Sequence, residues 1–208
     1  MGKLLSGIEG HFIGNIGTVV GSSWKGIPYV KAKAVKKKHN RKKKPVSANQ
    51  SKFAVAHYWL QPLLDFVREG FRGYTDTVEG FNAAKSVAMK SAFVRQGDIE
   101  VIDPALVQVS YGDLPLPSHL SVSRLDKDTL QFEWDPVSEG GSPYDQAMLL
   151  AYDAESKLAS FRVTAEFRKA GKDTLHAPAL KASKYHVYIA FIADDRSRQS
   201  SSVYLGAF

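Results

Sequence analysis

Apolar and polar positions alternate with period two over residues 18–34. Thr18-Val19-Val20-Gly21-Ser22-Ser23-Trp24 and Ile27-Pro28-Tyr29-Val30 flank Lys25-Gly26. β-branched and aromatic side chains suit a pleated surface, and glycine tolerates the positive φ of a tight turn, so this stretch predicts a β-hairpin. Pro28 has no N–H to give a ladder, which places its strand at an edge or starts it there. On that strand Tyr29, Lys31 and Lys33 share one face, and Val30, Ala32 and Ala34 the other.

From Ser47 the period lengthens. Ser47-Ala48-Asn49-Gln50 has the form of a capping box, in which a hydroxyl bonds the third amide and a Gln reaches back. Phe53, Ala56, Leu60, Leu63 or Leu64, and Val67 form one stripe, predicting a helix that ends at Gly70 and is kinked or split by Pro62. A second helix is expected from about Thr77 to Arg95, with Phe81, Ala84, Ala88 and Ala92 on one side and Gly97 beyond its end. The two would form an αα-hairpin.

After residue 99 the period returns to two. Segments 99–102, 106–111, 119–125, 129–135, 146–152, 158–168, 184–193 and 200–205 alternate or run apolar. Clusters such as Asp113-Leu-Pro-Leu-Pro117 and Glu139-Gly-Gly-Ser-Pro143 separate them. The segments after about residue 105 predict a β-sandwich of immunoglobulin or fibronectin size. The expected class is α+β in three parts. These are a Gly-rich β-hairpin and basic arm over 1–46, a helical hairpin over 47–98, and an immunoglobulin/fibronectin III-like β-sandwich over 99–208.

Charge sharpens this division. The net charge is +7, but residues 1–64 hold twelve Lys/Arg against the single acid Glu9, leaving the remainder acidic. Lys31, Lys33, Lys36, Lys37, Lys38, Arg41, Lys42, Lys43 and Lys44 crowd into fourteen positions with no acid among them. Such asymmetry suggests nucleic acid, an anionic surface or an acidic neighbouring subunit. Beside the lysines, Tyr29 and Trp24 offer stacking surface for bases, so these eleven residues form the expected nucleic-acid-binding set. The competing expectation is that both aromatics are ordinary apolar packing.

Other chemistry is sparse. There is no cysteine, hence no disulfide or thiolate metal site. No Gly-x-Ser-x-Gly elbow, His-Glu-x-x-His, EF-hand loop or P-loop occurs, and the glycines at 2, 7, 10, 14 and 17 lack the phosphate-loop order. The six histidines are scattered, and Asp194-Asp195 sits in an expected turn. No catalytic residue, metal or cofactor is expected. No stretch nears the ~20 apolar residues of a membrane span, and Gly7, Glu9 and Gly10 interrupt any signal-peptide core, so synthesis in the cytoplasm is expected.

Thr129-Leu-Gln-Phe-Glu-Trp-Asp-Pro136 resembles the second strand of a fibronectin type III domain, with Trp134 as its buried aromatic. Tyr185-His-Val-Tyr-Ile-Ala-Phe191 resembles the sixth strand and Ser200-Ser-Ser-Val-Tyr204 the last. The likeness covers half the chain and implies fold alone. The whole chain also resembles a family of uncharacterised bacteroidete proteins. The likeness rests on Gly17-Thr-Val-Val-Gly-Ser-Ser-Trp-Lys-Gly26, Pro45 to Phe53, Gly70-Phe71, Phe81-Asn-Ala-Ala84, Trp134 and Tyr185-His-Val-Tyr188. The Trp-Lys-Gly hairpin is more loosely similar to short phage and prophage proteins. These likenesses imply architecture and no catalytic residues.

The expected function is a non-enzymatic structural or assembly protein, a homo-oligomer whose basic arm meets DNA, RNA or an acidic neighbour, in a virion or other assembled particle. The alternative is a monomeric nucleic-acid-binding accessory protein with a partner-binding sandwich. A weaker one is a peripheral membrane binder using Lys36–Lys44.

Overall fold

The computed structural model describes residues 3–4, 10–35, 48–97, 99–137, 140–177 and 184–208. The chain is α+β and divides into two compact units, Met1–Pro45 and Val46–Phe208.

In the first unit, β1 (Lys3–Leu4), β2 (Phe12–Ile16), β3 (Val19–Trp24) and β4 (Ile27–Ala32) form one antiparallel sheet in sequence order. The expected hairpin is its β3–β4 half, extended by two strands that period alone did not mark. Lys25 (φ 48°) and Gly26 (φ 81°) make the two-residue turn, a backbone whose twist matches the strands it joins. At Gly21, a Cβ would lie 2.2 Å from the Phe12 carbonyl oxygen and 2.6 Å from its ring, so only glycine lets β2 lie this close.

The second unit begins with helix α1 (Ala48–Leu60), a 3-10 turn at Gln61–Leu63, and helix α2 (Leu64–Gly70). Pro62 sits in the turn; its missing N–H and its ring split the expected helix in two. The capping residue Ser47 lies outside the described residues. Helix α3 (Gly80–Ser91) buries Ala83, Ala84 and Ala88. It starts later and ends sooner than the 3.6 period predicted. Phe93–Gln96 is instead strand β5, paired with β6 (Ile99–Ile102). Phe93-Val94 favour a strand, and cross-strand pairing with Val101 and Ile102 outweighs helix continuation.

Among the described residues seven strands follow: β7 (Ser121–Asp126), β8 (Thr129–Glu133), β9 (Gln146–Asp153), β10 (Leu158–Arg162), β11 (Lys172–His176), β12 (His186–Ile192) and β13 (Val203–Ala207). They form a sheet ordered β11-β8-β7 and another ordered β10-β9-β12-β13. Segment 106–111, expected as a strand, is not one. It threads between α2 and β13, with the Tyr111 N–H donating to the Gly70 oxygen (2.8 Å) and the Val109 N–H to Ser202 Oγ (3.0 Å). Strand β11 was not expected, because Lys172-Asp-Thr-Leu-His176 offers one buried side chain, Leu175. Register with β8 and the Arg162–Asp173 ion pair at 3.0 Å hold it at the sheet edge.

The central sheet is buried on both faces. Ala147, Leu149, Ala151, Val187, Ile189 and Phe191 face Leu130, Phe132, Trp134 and Leu175 of the three-stranded sheet. The intervening Met148, Leu150, Tyr152, Tyr188, Ala190 and Ile192 face Leu60, Leu63, Phe66, Val67 and the α3 alanines. This is why β9 and β12 read as unbroken apolar runs. At the expected boundary of 98/99, the helices share a core with the four-stranded sheet, within one compact unit.

Candidate polyanion interface

Alternation and register decide which side chains meet on the N-terminal sheet. Val20 pairs with Lys31, Ser22 with Tyr29, and Trp24 with Ile27. Directly paired residues share a face, so Trp24, Tyr29 and Lys31 lie together. Lys33, one residue past β4, donates its N–H to the Thr18 oxygen at 2.7 Å and so extends the ladder on the same parity. Of the expected set, the sheet therefore brings Trp24, Tyr29, Lys31 and Lys33 onto one side. Lys36, Lys37, Lys38, Arg41, Lys42, Lys43 and Lys44 lie outside the described residues.

Trp24 is 49 % and Tyr29 41 % exposed, so each ring keeps about half of its surface open. Lys31 Nζ stands 5.8 Å from the Tyr29 ring centre, and Lys25 Nζ 5.7 Å from that of Trp24. Cations over exposed aromatic faces are held there by the ring quadrupole. Lys25 is a cation the sequence reading missed. Its place in the turn was visible, but its approach to Trp24 was not.

Two open clefts lie in the second unit. One of about 400 Å³ is lined by Arg72, Tyr74, Tyr111, Asp113, Arg198 and Gln199. The Gln199 amide donates to the backbone oxygens of Arg72 (2.9 Å) and Tyr111 (3.0 Å), tying three segments together. The other, about 590 Å³, lies beside Arg68, Glu69, Glu79 and Phe81. Arg72 pairs with Glu69 at 2.6 Å, so much of its charge is answered locally. Among the described residues no three His, Cys, Asp or Glu side chains gather as metal ligands. Asp194 and Asp195 make a turn, with the Ser197 N–H donating to the Asp195 carboxylate at 2.9 Å.

Titratable groups cluster where β12 and β13 meet. His186 Nδ1 lies 3.0 Å from the Tyr204 hydroxyl, and the Tyr188 hydroxyl donates to the Pro104 oxygen at 2.7 Å. Burial lowers the His186 pKa, opposed by the charges of Asp103 and Asp153. Burial likewise raises the Tyr188 and Tyr204 hydroxyls, and pushes Tyr152 up to about 12. Neither of the two clefts above is lined by these groups.

His57 is packing. Its ring meets Phe81 edge-on at 5.4 Å and stacks at 6.4 Å on Phe53. Beside it, Lys85 is 8 % exposed, with Nζ 4.5 Å from Phe53 and 4.9 Å from Phe81. A lysine on an alanine-rich helix gave no hint of this aromatic cage, because the two rings come from different helices. Among the described residues no helix is long and apolar enough to cross a membrane.

Comparison with curated proteins gives no match, and no solved structure matches the chain. A family model does, over residues 11–206, from the residue before β2 into β13. The chain therefore belongs to the family of unknown function DUF6266.

Proposed function

We propose that this protein is a non-enzymatic structural or assembly subunit, phage-like or filament-like. Its N-terminal sheet contacts other chains, and its basic arm binds nucleic acid or an acidic neighbouring subunit. One observation carries the reading: the N-terminal sheet has almost no interior. Among its described residues only Gly21 is buried, while Ile27 is 61 % and Val30 59 % exposed. Apolar side chains on both faces of a small sheet are stabilised when another surface covers them. Among the described residues the sheet's outer strand β4 has no partner on one side, a template for strand addition.

The second unit then acts as a displayed module. Its first, second and fifth sandwich strands form one sheet, and its fourth, third, sixth and seventh the other. That three-plus-four order supports a fibronectin III-like reading of residues 121–207. The family's bacteroidete distribution belongs to the same proposal.

Light scattering of the full chain and of a chain lacking residues 1–35 tests the reading. We expect association in the first and a folded monomer in the second. Two monomers at the same concentration would overturn it. They would favour the accessory-protein reading, which the exposed Trp24 and Tyr29 beside Lys31 also support.

A further inference from the structure

Among the described residues β4 has no strand on one side, and that open edge is not uniform. Lys33 N–H points inward to Thr18, and hydrogen-bonding residues alternate along an antiparallel strand. Ile27, Tyr29 and Lys31 therefore direct their backbone groups to β3. Pro28, Val30 and Ala32 direct theirs away, to the open side. Pro28 faces Ser23 in a pair that exchanges no ladder bond, so its missing N–H costs the sheet nothing. On the open edge that same absence blocks one position. What remains for a partner strand is Val30, Ala32 and the extension toward Lys33.

A second copy of β4 fits this edge badly. Consider a two-fold antiparallel pairing of two β4 strands. Centred on Tyr29 or Val30, it places Pro28 inside the ladder and forfeits a bond at each end. Centred on Lys31, it sets that lysine against its own copy. Centred on Ala32, it sets Lys31 against Lys33 of the second copy. Like charges directly opposite across a ladder are destabilising. Each register that spares Pro28 thus opposes lysine to lysine.

We propose that the Val30–Lys33 edge of β4 receives an extended peptide strand of alternating acidic and apolar residues, supplied by another polypeptide. Its carboxylates pair with Lys31 and Lys33 on the face that carries Tyr29 and Trp24. Its apolar residues lie beside Val30 and Ala32 on the opposite face. Main-chain bonds at Val30 and Ala32 set the register, and Pro28 ends it. The proposal shares with the functional reading only the N-terminal sheet as a contact surface, and it names the chemistry of what the sheet contacts.

The test uses the full chain and a fluorescein-labelled, end-capped peptide of alternating Glu and Val, against a peptide of the same composition with Glu and Val in separate blocks. Fluorescence anisotropy should show the alternating peptide binding about tenfold tighter. Ala32→Pro removes an outward N–H and should weaken it about tenfold, with unchanged circular dichroism. A double reversal, Lys31→Glu with Lys33→Glu, keeps the backbone and should exchange the preference for an alternating Lys/Val peptide. Lys33→Glu alone should promote self-association, because Lys31 then opposes Glu in the Ala32-centred register. Equal binding of the block peptide and of single-stranded DNA, with no effect of Ala32→Pro, would overturn the proposal: the surface would read charge alone. Peptide binding by a chain that stays monomeric defeats the assembly reading and leaves this one standing. Assembly without register-selective peptide binding does the reverse.

Discussion

Arg168 and Trp134 show what a core polar group requires. Arg168 is 1 % exposed, paired with Asp145 at 3.2 Å, bonded to the Pro115 oxygen at 2.6 Å, and 4.8 Å from the Phe191 ring. The Trp134 indole N–H donates to the Arg168 oxygen at 2.7 Å while its ring meets Phe191 edge-on. Trp134→Ala should destabilise the full chain by about 3–5 kcal/mol in urea unfolding; wild-type stability would refute its core role. His186 supplies a pH signature. Its folded pKa is depressed by burial, so the unfolded chain binds the proton more readily. Stability should be full above the unfolded value near 6.5 and fall as pH drops toward the folded value. His186→Gln should flatten melting temperature between about pH 7 and 5. The tyrosines act at the other end. With folded pKa values raised, their contribution is intact below about 10 and lost as pH climbs through the folded values.

At the scale of elements, close approach matters more than propensity. Gly70 ends α2, as the stripe of apolar residues implied, but its need for glycine comes from elsewhere. A Cβ there would lie 2.5 Å from the Val109 oxygen and 2.9 Å from Ser110 Cα, both backbone neighbours. Gly70→Ala should therefore cost about 1–3 kcal/mol by overpacking, where an ordinary helix position would gain from alanine. Chemical denaturation of the two chains gives the comparison. The cationic run over 31–44 carries its own prediction. Suppose about five to seven of its cations touch phosphate; log affinity for duplex DNA should then fall against log salt with a slope of about −4.5 to −6. Replacing Lys36, Lys37, Lys38, Lys42, Lys43 and Lys44 with Gln should flatten that slope without lowering the melting temperature. A slope unchanged in the Gln variant would remove the arm as the DNA contact.

For the whole molecule, the decisive feature is a sheet with two covered faces. The helices do not form a neighbouring domain; they roof β9 and β12. A fragment of residues 105–208 would present Met148, Leu150, Tyr152, Tyr188, Ala190 and Ile192 to water. Large apolar patches of this kind drive association. That fragment should aggregate or lose cooperative unfolding, whereas residues 46–208 should unfold in one transition. Circular dichroism during heating distinguishes them, and a cooperative 105–208 would show the two sheets to be independent of the helices.

Local chemistry was legible in the chain itself. The Lys25-Gly26 turn, Pro28 at an edge, the break at Pro62 and the β8 and β12 strands follow from φ preferences, missing donors and period. These depend on neighbours within a few residues, so one sequence contains them. The shared side of Trp24, Tyr29 and Lys31 was half legible: period two joined Tyr29 to the lysines, but Trp24 needed the β3–β4 register. Tertiary structure decided the rest. Strand β11 exists through pairing with β8 and an ion pair to Arg162, not through its own pattern. Phe93–Gln96 became a strand because β6 lay ready to pair with it. The cage around Lys85 and the roof over the central sheet join side chains far apart in sequence. Such contacts carry no local period, because burial on a second face is a property of the partner that covers it.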